Sequence, residues 1–235
     1  MRTSRARLRL PDDMRGEAPV PGEVVRRPLW RAFPEASLAR AAAFARAGGH
    51  AVIWAPARRL PAAWLLMPCT KDGLSPLSRW VLVLLGRRSY GEVQVEPAKG
   101  LALIKVARRF HPRLAAWCHR DSHWRAATRT IRLDCTSCGA CCHNCRAMLL
   151  PPELTRWRKG GRADLAGGRY VRRIRGQLVI RLRPADQGCV HLDGRRCGIY
   201  PLRPYACRIF PPGSESCLSA RRAVFGIVDG AGPEC

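Results

Sequence analysis

The sequence predicts an α+β protein in two parts: a basic, mainly helical N-terminal region and a small, loop-rich domain dense in cysteine. Three observations support this prediction. Hydrophobic residues make up 47% of the chain and charged residues 25%, a balance that allows a packed core. Lysine and arginine number 42 against 17 acidic residues, which gives a net charge of +25. Two of the twelve cysteines precede residue 130, and ten follow it.

The change in cysteine density near residue 130 marks the predicted domain boundary. Residues 1–36 are rich in arginine and proline without a steady hydrophobic period, and we expect a flexible leader there. Residues 37–130 are an N-terminal region to which the sequence assigns no role, and residues 131–235 are the cysteine-cluster domain. The apolar stretches are far shorter than the ~20 residues of a membrane-spanning helix. No apolar signal segment follows the basic start, so we expect a cytoplasmic protein without membrane contact.

Local patterns predict the elements of the N-terminal region. Residues 37–47 are strong helix formers, and residues 50–54 are typical of a short strand. Residues 91–97 alternate between polar and apolar side chains, as a strand does. Apolar residues within 100–118 fall on one face, which predicts a single amphipathic helix that Pro112 kinks or ends.

The positive charge alone does not identify a partner. Clustered lysine and arginine are typical of nucleic-acid-binding proteins. Only four of the 42 basic residues are lysine, however, and the excess is spread over the whole chain. Nucleic acid is therefore a weakly supported partner, and the sequence names no protein partner.

The first cysteine cluster has the spacing of a metal-binding motif. It contains five thiols within eleven residues: Cys135, Cys138, Cys141, Cys142 and Cys145. A C-x-x-C turn allows two sulfur atoms to reach one ion. Gly139 relaxes the backbone where the chain must turn sharply. Clustered cysteines in a reducing compartment indicate metal binding or catalysis rather than disulfides.

The second cluster begins some fifty residues later. Its cysteines are Cys189, Cys197, Cys207 and Cys217. Asp193-Gly194 is a favoured hairpin turn that would bring Cys189 close to Cys197. Several thiolates around one ion leave a net negative charge, which Arg203 and Arg208 are placed to neutralise. Between the clusters we expect a short helix from Pro151 and a hairpin over residues 169–183. Because this core is thin, the predicted domain is one that a metal stabilises.

The two clusters together resemble a known family. The opening Cys135-x-x-Cys138-Gly-x-Cys141-Cys142 and the later Cys197-Gly-Ile-Tyr-Pro-x-Arg-Pro-x-x-Cys207-Arg-x-Phe-Pro resemble the YkgJ-type cysteine-cluster family (CxxCxxCC), a zinc- or iron-chelating domain. The resemblance covers about residues 131–217. It implies a metal-binding protein with these ligand candidates: Cys135, Cys138, Cys141, Cys142, Cys189, Cys197, Cys207 and Cys217. His191 replaces the usual apolar or aromatic residue, and Cys145 is an additional thiol. Whether His143, Cys145 or His191 ligates is left open.

The sequence leaves the metal and the activity open. Thiolates suit Zn²⁺, iron and a 4Fe-4S cluster alike. The main interpretation is a metal-ion-binding protein of unknown specific activity. One alternative is a metal-dependent enzyme that modifies a protein or nucleic acid, since the same domain occurs within a flagellin lysine methylase. Another is a nucleic-acid-binding module with structural zinc. The chain has no nucleophile elbow, Walker A loop or dinucleotide-binding glycine pattern, so no catalytic residue is assigned.

Overall fold

The computed structural model shows two compact units that both mix helices and strands. It describes residues 3–7, 23–55, 62–143, 146–184 and 188–227. One unit comprises residues 1–10 and 26–130, and the other comprises residues 11–25 and 131–235. The observed class is α+β, as predicted. No helix in the described ranges has the length and apolar character needed to cross a bilayer.

The strands and helices up to residue 133 belong mostly to the first unit. The elements are β1 (Thr3–Arg7), β2 (Glu23–Pro28), β3 (Trp30–Pro34), α1 (Leu38–Arg46), β4 (His50–Ala55), β5 (Ala62–Met67), α2 (Pro76–Leu84), β6 (Ser89–Val93), β7 (Ala102–Val106), α3 (His111–Asp121) and β8 (Thr128–Leu133). Six of these strands form one sheet in the order β1-β6-β7-β5-β4-β3. Its neighbours are antiparallel except for β3 and β4, which are parallel and joined through α1. A separate two-stranded sheet pairs β2 with β8.

The central strands are buried on both faces because helices contribute to the core on each side. Ala42 and Phe44 of α1 pack in one hydrophobic cluster with strand residues such as Leu66. Leu82 of α2 and Leu114 of α3 pack in the other cluster, against the opposite face of the sheet. Alternating strand residues therefore face different clusters, as the two-residue period of a strand requires.

The N-terminal region differs from the expected helical arrangement. Helix α1 and strand β4 form where the sequence predicted them, but residues 100–118 do not form one helix. Residues 102–106 form β7, and Pro112 lies in the first turn of α3 rather than kinking a longer helix. The region contains a six-stranded sheet, so the prediction of a mainly helical region is corrected. Strands β1, β2 and β3 lie within the expected leader, much of which falls outside the described residues.

The second unit consists of short elements around two small hydrophobic clusters. Its elements are α4 (Cys135–Cys138), α5 (Pro151–Lys159), β9 (Val171–Ile174), β10 (Gln177–Ile180), β11 (Leu192–Asp193), β12 (Arg196–Cys197), α6 (Tyr205–Arg208) and α7 (Glu215–Phe225). Strands β9 and β10 form one hairpin, and β11 and β12 form another. Helix α5 and both hairpins agree with the sequence prediction.

Candidate metal centre

The first cysteine motif forms a tight, capped turn. The carboxylate of Asp134 accepts a hydrogen bond of 2.9 Å from the backbone N–H of Thr136 and so caps α4. Cys138 ends this helix, and Gly139 follows in the left-handed region with a φ of +66°. A Cβ built on Gly139 would lie 2.7 Å from the carbonyl oxygen of Arg195. Only glycine fits this conformation and this contact without a shift of the backbone.

A hairpin and a backbone hydrogen bond bring the second motif to the first. In the β11–β12 pair Leu192 lies opposite Cys197. The backbone N–H of Cys189 donates to the carbonyl oxygen of Cys142 at 2.8 Å. Gly139 packs against the turn of the same hairpin through Arg195. Backbone contacts therefore hold together two motifs that lie far apart in the sequence.

Helix α5 anchors the segment that carries Cys207. The indole N–H of Trp157 donates to the carbonyl oxygen of Leu202 at 2.8 Å. The carboxylate of Glu153, itself buried, accepts a hydrogen bond from the backbone N–H of Tyr205 at the start of α6. Because these contacts fix both the approach to α6 and its first residue, they position the Cys207 side chain on that helix.

Helix α7 contributes the last cysteine and a buried positive charge. The Ser214 hydroxyl accepts a hydrogen bond from the backbone N–H of Cys217 at 3.3 Å and caps the helix. One turn further on, Arg221 is only 2% exposed, and its Nη1 lies 3.6 Å from the sulfur of Cys138. The guanidinium of Arg221 therefore donates to one of the predicted ligand sulfur atoms. Arg221 was not predicted from the sequence. Its one signal there is the i, i+4 spacing from Cys217, which places both residues on one helix face.

All eight predicted ligand cysteines line one cavity of about 100 Å³. They are Cys135, Cys138, Cys141, Cys142, Cys189, Cys197, Cys207 and Cys217. His191 and three arginines, Arg203, Arg208 and Arg221, also line it. Pockets for organic ligands usually measure ~300–1,000 Å³. The cavity therefore suits an ion or a small cluster better than an organic substrate.

The donor set fits a soft metal, although the sulfur atoms lie farther apart than a coordination shell requires. Among the described residues, no three Cys, His, Asp or Glu side chains are close enough together to hold an ion. The eight cysteines are thiols rather than disulfides. Thiolates are the ligands that zinc and iron–sulfur sites use. Of the three residues left open by the sequence, His191 lines the cavity and His143 does not, while Cys145 lies outside the described residues.

Burial disfavours the ionised form of three of the thiols that line the cavity. A hydrogen bond with Cys142, followed by burial, raises the pKa of Cys141 far above its usual range. Burial raises the pKa of Cys217 to about 11. Burial also raises the pKa of Cys197, and the charge of Arg203 opposes that shift. A metal ion binds the thiolate form of cysteine, so ligation at any of these three positions would release a proton.

The same segment of the chain is similar to a known family of metal-chelating domains. The fold and the site define a small cysteine-rich domain of α+β class. Residues 134–223 match the family model CxxCxxCC, described as "Putative zinc- or iron-chelating domain". The match spans less than half of the chain but includes every cysteine that lines the cavity, and it supports metal binding in general. No curated protein and no solved structure matches the chain.

Proposed function

We propose that the protein binds zinc or iron through the cysteines of its two motifs. The observation that carries the proposal is the convergence of eight cysteines from both motifs on one small cavity. Random burial of thiols would scatter them among separate clusters, as Cys118 illustrates in the first unit. The match to a zinc- or iron-chelating domain over residues 134–223 supports the same conclusion.

The arginines that line the cavity support an anionic site. Ligated cysteines are thiolates, so four of them around a divalent ion leave a net charge of about −2. Arg203 and Arg208 reach the cavity from the second motif, and Arg221 reaches it from α7. A fully protonated set of thiols has no need of three guanidinium groups, whereas a metal–thiolate centre is stabilised by them.

Metal analysis after anaerobic purification tests the proposal. Colourless protein with stoichiometric zinc supports a zinc site, and brown protein with iron and acid-labile sulfide supports an iron–sulfur cluster. The metal-to-protein ratio distinguishes one centre from two. Protein that is folded and reduced but holds neither metal contradicts the proposal.

Paired cysteine variants locate the site. Cys138→Ser and Cys207→Ser remove one sulfur from each motif, and both should lose most of the bound metal. Cys118→Ser is the matched control, because Cys118 is as buried as Cys138 but lies in the core of the first unit. Equal metal content in all three variants would rule out the proposed ligands.

A further inference from the structure

His191 lines the cysteine cavity and carries a buried nitrogen for which the described residues offer no hydrogen-bond partner. The side chain is only 8% exposed and lines the same cavity as the eight cysteines. Its Nε2 atom is buried, and no group in the described part of the chain forms a hydrogen bond with it. Buried polar atoms in folded proteins nearly always have a partner, so this atom needs an explanation.

The backbone holds His191 between two of the proposed ligands. The carbonyl oxygen of Cys189 accepts a 2.9 Å hydrogen bond from the N–H of Leu192, which closes a turn around His191. The carbonyl oxygen of His191 accepts a 2.8 Å hydrogen bond from the N–H of Gly198, the residue after Cys197. The position of this histidine is therefore set by the same hairpin that sets Cys189 and Cys197.

An aromatic contact holds the plane of the imidazole ring. The rings of Tyr170 and His191 stack with their centroids 4.8 Å apart and an interplanar angle of 26°, a geometry typical of aromatic pairs. A phenylalanine would stack equally well and would leave no nitrogen buried without a partner. Packing against Tyr170 therefore accounts for a ring at this position but not for an imidazole.

We propose that Nε2 of His191 is a ligand of the metal ion, beside cysteine sulfur atoms of the same cavity. The inference rests on the proposed function and deepens it, because it defines a mixed sulfur–nitrogen donor set. Neutral imidazole is the most common metal ligand among side chains, and ligation satisfies the buried lone pair. Replacing one thiolate by imidazole makes the centre one charge unit less negative, which lowers the cost of burying it.

X-ray absorption of the metal in the wild-type protein tests this assignment directly. Imidazole ligation gives multiple scattering from the ring carbons in addition to the metal–sulfur shell, and we expect both. A spectrum with sulfur scattering alone would overturn the assignment of His191 while leaving the proposed function intact. Protein without metal would overturn both. This measurement needs no variant, so a folding defect cannot obscure it.

Two variants test which histidine is the source of the ring scattering. His191→Phe preserves the ring that stacks on Tyr170 but removes the nitrogen, and it should weaken metal binding at least about tenfold and remove the ring scattering. His143→Phe is the control, because His143 lies next to Cys142 but outside the cavity lining. Unchanged affinity and an unchanged spectrum in His191→Phe would refute the proposal.

Discussion

The backbone N–H of Cys189 donates a 2.8 Å hydrogen bond to the carbonyl oxygen of Cys142, which joins the two cysteine motifs. This contact does not involve either side chain. It fixes the distance between the two backbones through main-chain atoms alone. The close packing of Gly139 on Arg195 adds a second backbone contact between the same segments. The relative placement of the two motifs therefore depends on main-chain contacts.

Replacement of Gly139 by alanine should disrupt these main-chain contacts between the two motifs. The left-handed conformation at φ +66° costs about 1–2 kcal/mol for a residue with a Cβ. The new Cβ would also lie 2.7 Å from the carbonyl oxygen of Arg195, which forces the backbone to move. We expect Gly139→Ala to lose bound metal and to unfold at lower denaturant concentration.

The matched control is Gly194→Ala. Gly194 also has a positive φ, of +55°, but no atom lies within 4 Å of its would-be Cβ. This variant should show the conformational cost alone and keep its metal. Similar metal loss in both alanine variants would show that the contact between Gly139 and Arg195 does not matter.

Arg221→Met should weaken metal binding while leaving the shape of α7 intact. The guanidinium lies 3.6 Å from the sulfur of Cys138 and is almost completely buried. Hydrogen bonds to charged groups contribute about 1.5–3 kcal/mol, so affinity should fall by roughly ten- to hundredfold. Competition with a chromophoric chelator measures the change. Arg222→Met alters the net charge equally at an exposed position of the same helix, and it should retain wild-type affinity.

The convergence of the cysteines was predictable from sequence because its signals are local. Two C-x-x-C steps, the glycine after Cys138 and the Asp193-Gly194 turn each depend on a few neighbouring residues, and the structure gathers the predicted thiols around one cavity. Arg221 and Glu153 were missed because their roles arise from tertiary contacts. A buried arginine and a buried glutamate look like ordinary surface residues in a chain with this much charge.

The incorrect prediction of a single helix over residues 100–118 has a different cause. The run from Ala102 to Val106 is almost continuously apolar, and such a run is compatible with a helix or with a buried strand. Pairing with β5 and β6 decides in favour of a strand, and neither partner is identifiable from the run itself. The sequence pattern makes Pro112 a break within a helix, whereas it occupies the first turn of α3, where its missing N–H carries no cost.

Removal of the metal should loosen the second unit selectively. Cys189, Cys197 and Cys207 pack against one of its small hydrophobic clusters, so displacement of the sulfur atoms disturbs that core. The first unit has two larger clusters of its own around its sheet. After treatment with EDTA, hydrogen exchange should become faster in β9–β12 and α4 and should remain unchanged in β4 and β5. Equal protection of the second unit with and without metal would contradict the role of the metal in stabilising it.

Acid should destabilise the first unit through His50. The ring is 2% exposed, and its Nε2 lies 3.0 Å from the Ser78 hydroxyl. Burial, reinforced by the charge of Arg27, lowers the pKa of His50 from 6.5 to about 3. Between pH 6.5 and about pH 3, His50 binds a proton in the unfolded chain but not in the folded chain. Stability from neutral His50 is therefore fully present above pH 6.5 and is lost as the pH falls toward 3.

The comparison of wild type with His50→Gln isolates this effect, because the carboxylates that also titrate in acid are common to both proteins. Six of the seven tryptophans lie in the first unit, and Trp30 packs on His50 with ring centroids 4.6 Å apart. Tryptophan fluorescence during denaturant unfolding therefore reports mainly on this unit. Between pH 7 and pH 4 the free energy of unfolding of the wild type should fall by on the order of a few kcal/mol more than that of His50→Gln. If the free energy of unfolding falls equally in the two proteins, His50 is solvated or protonated in the folded state, contrary to its burial beside Trp30.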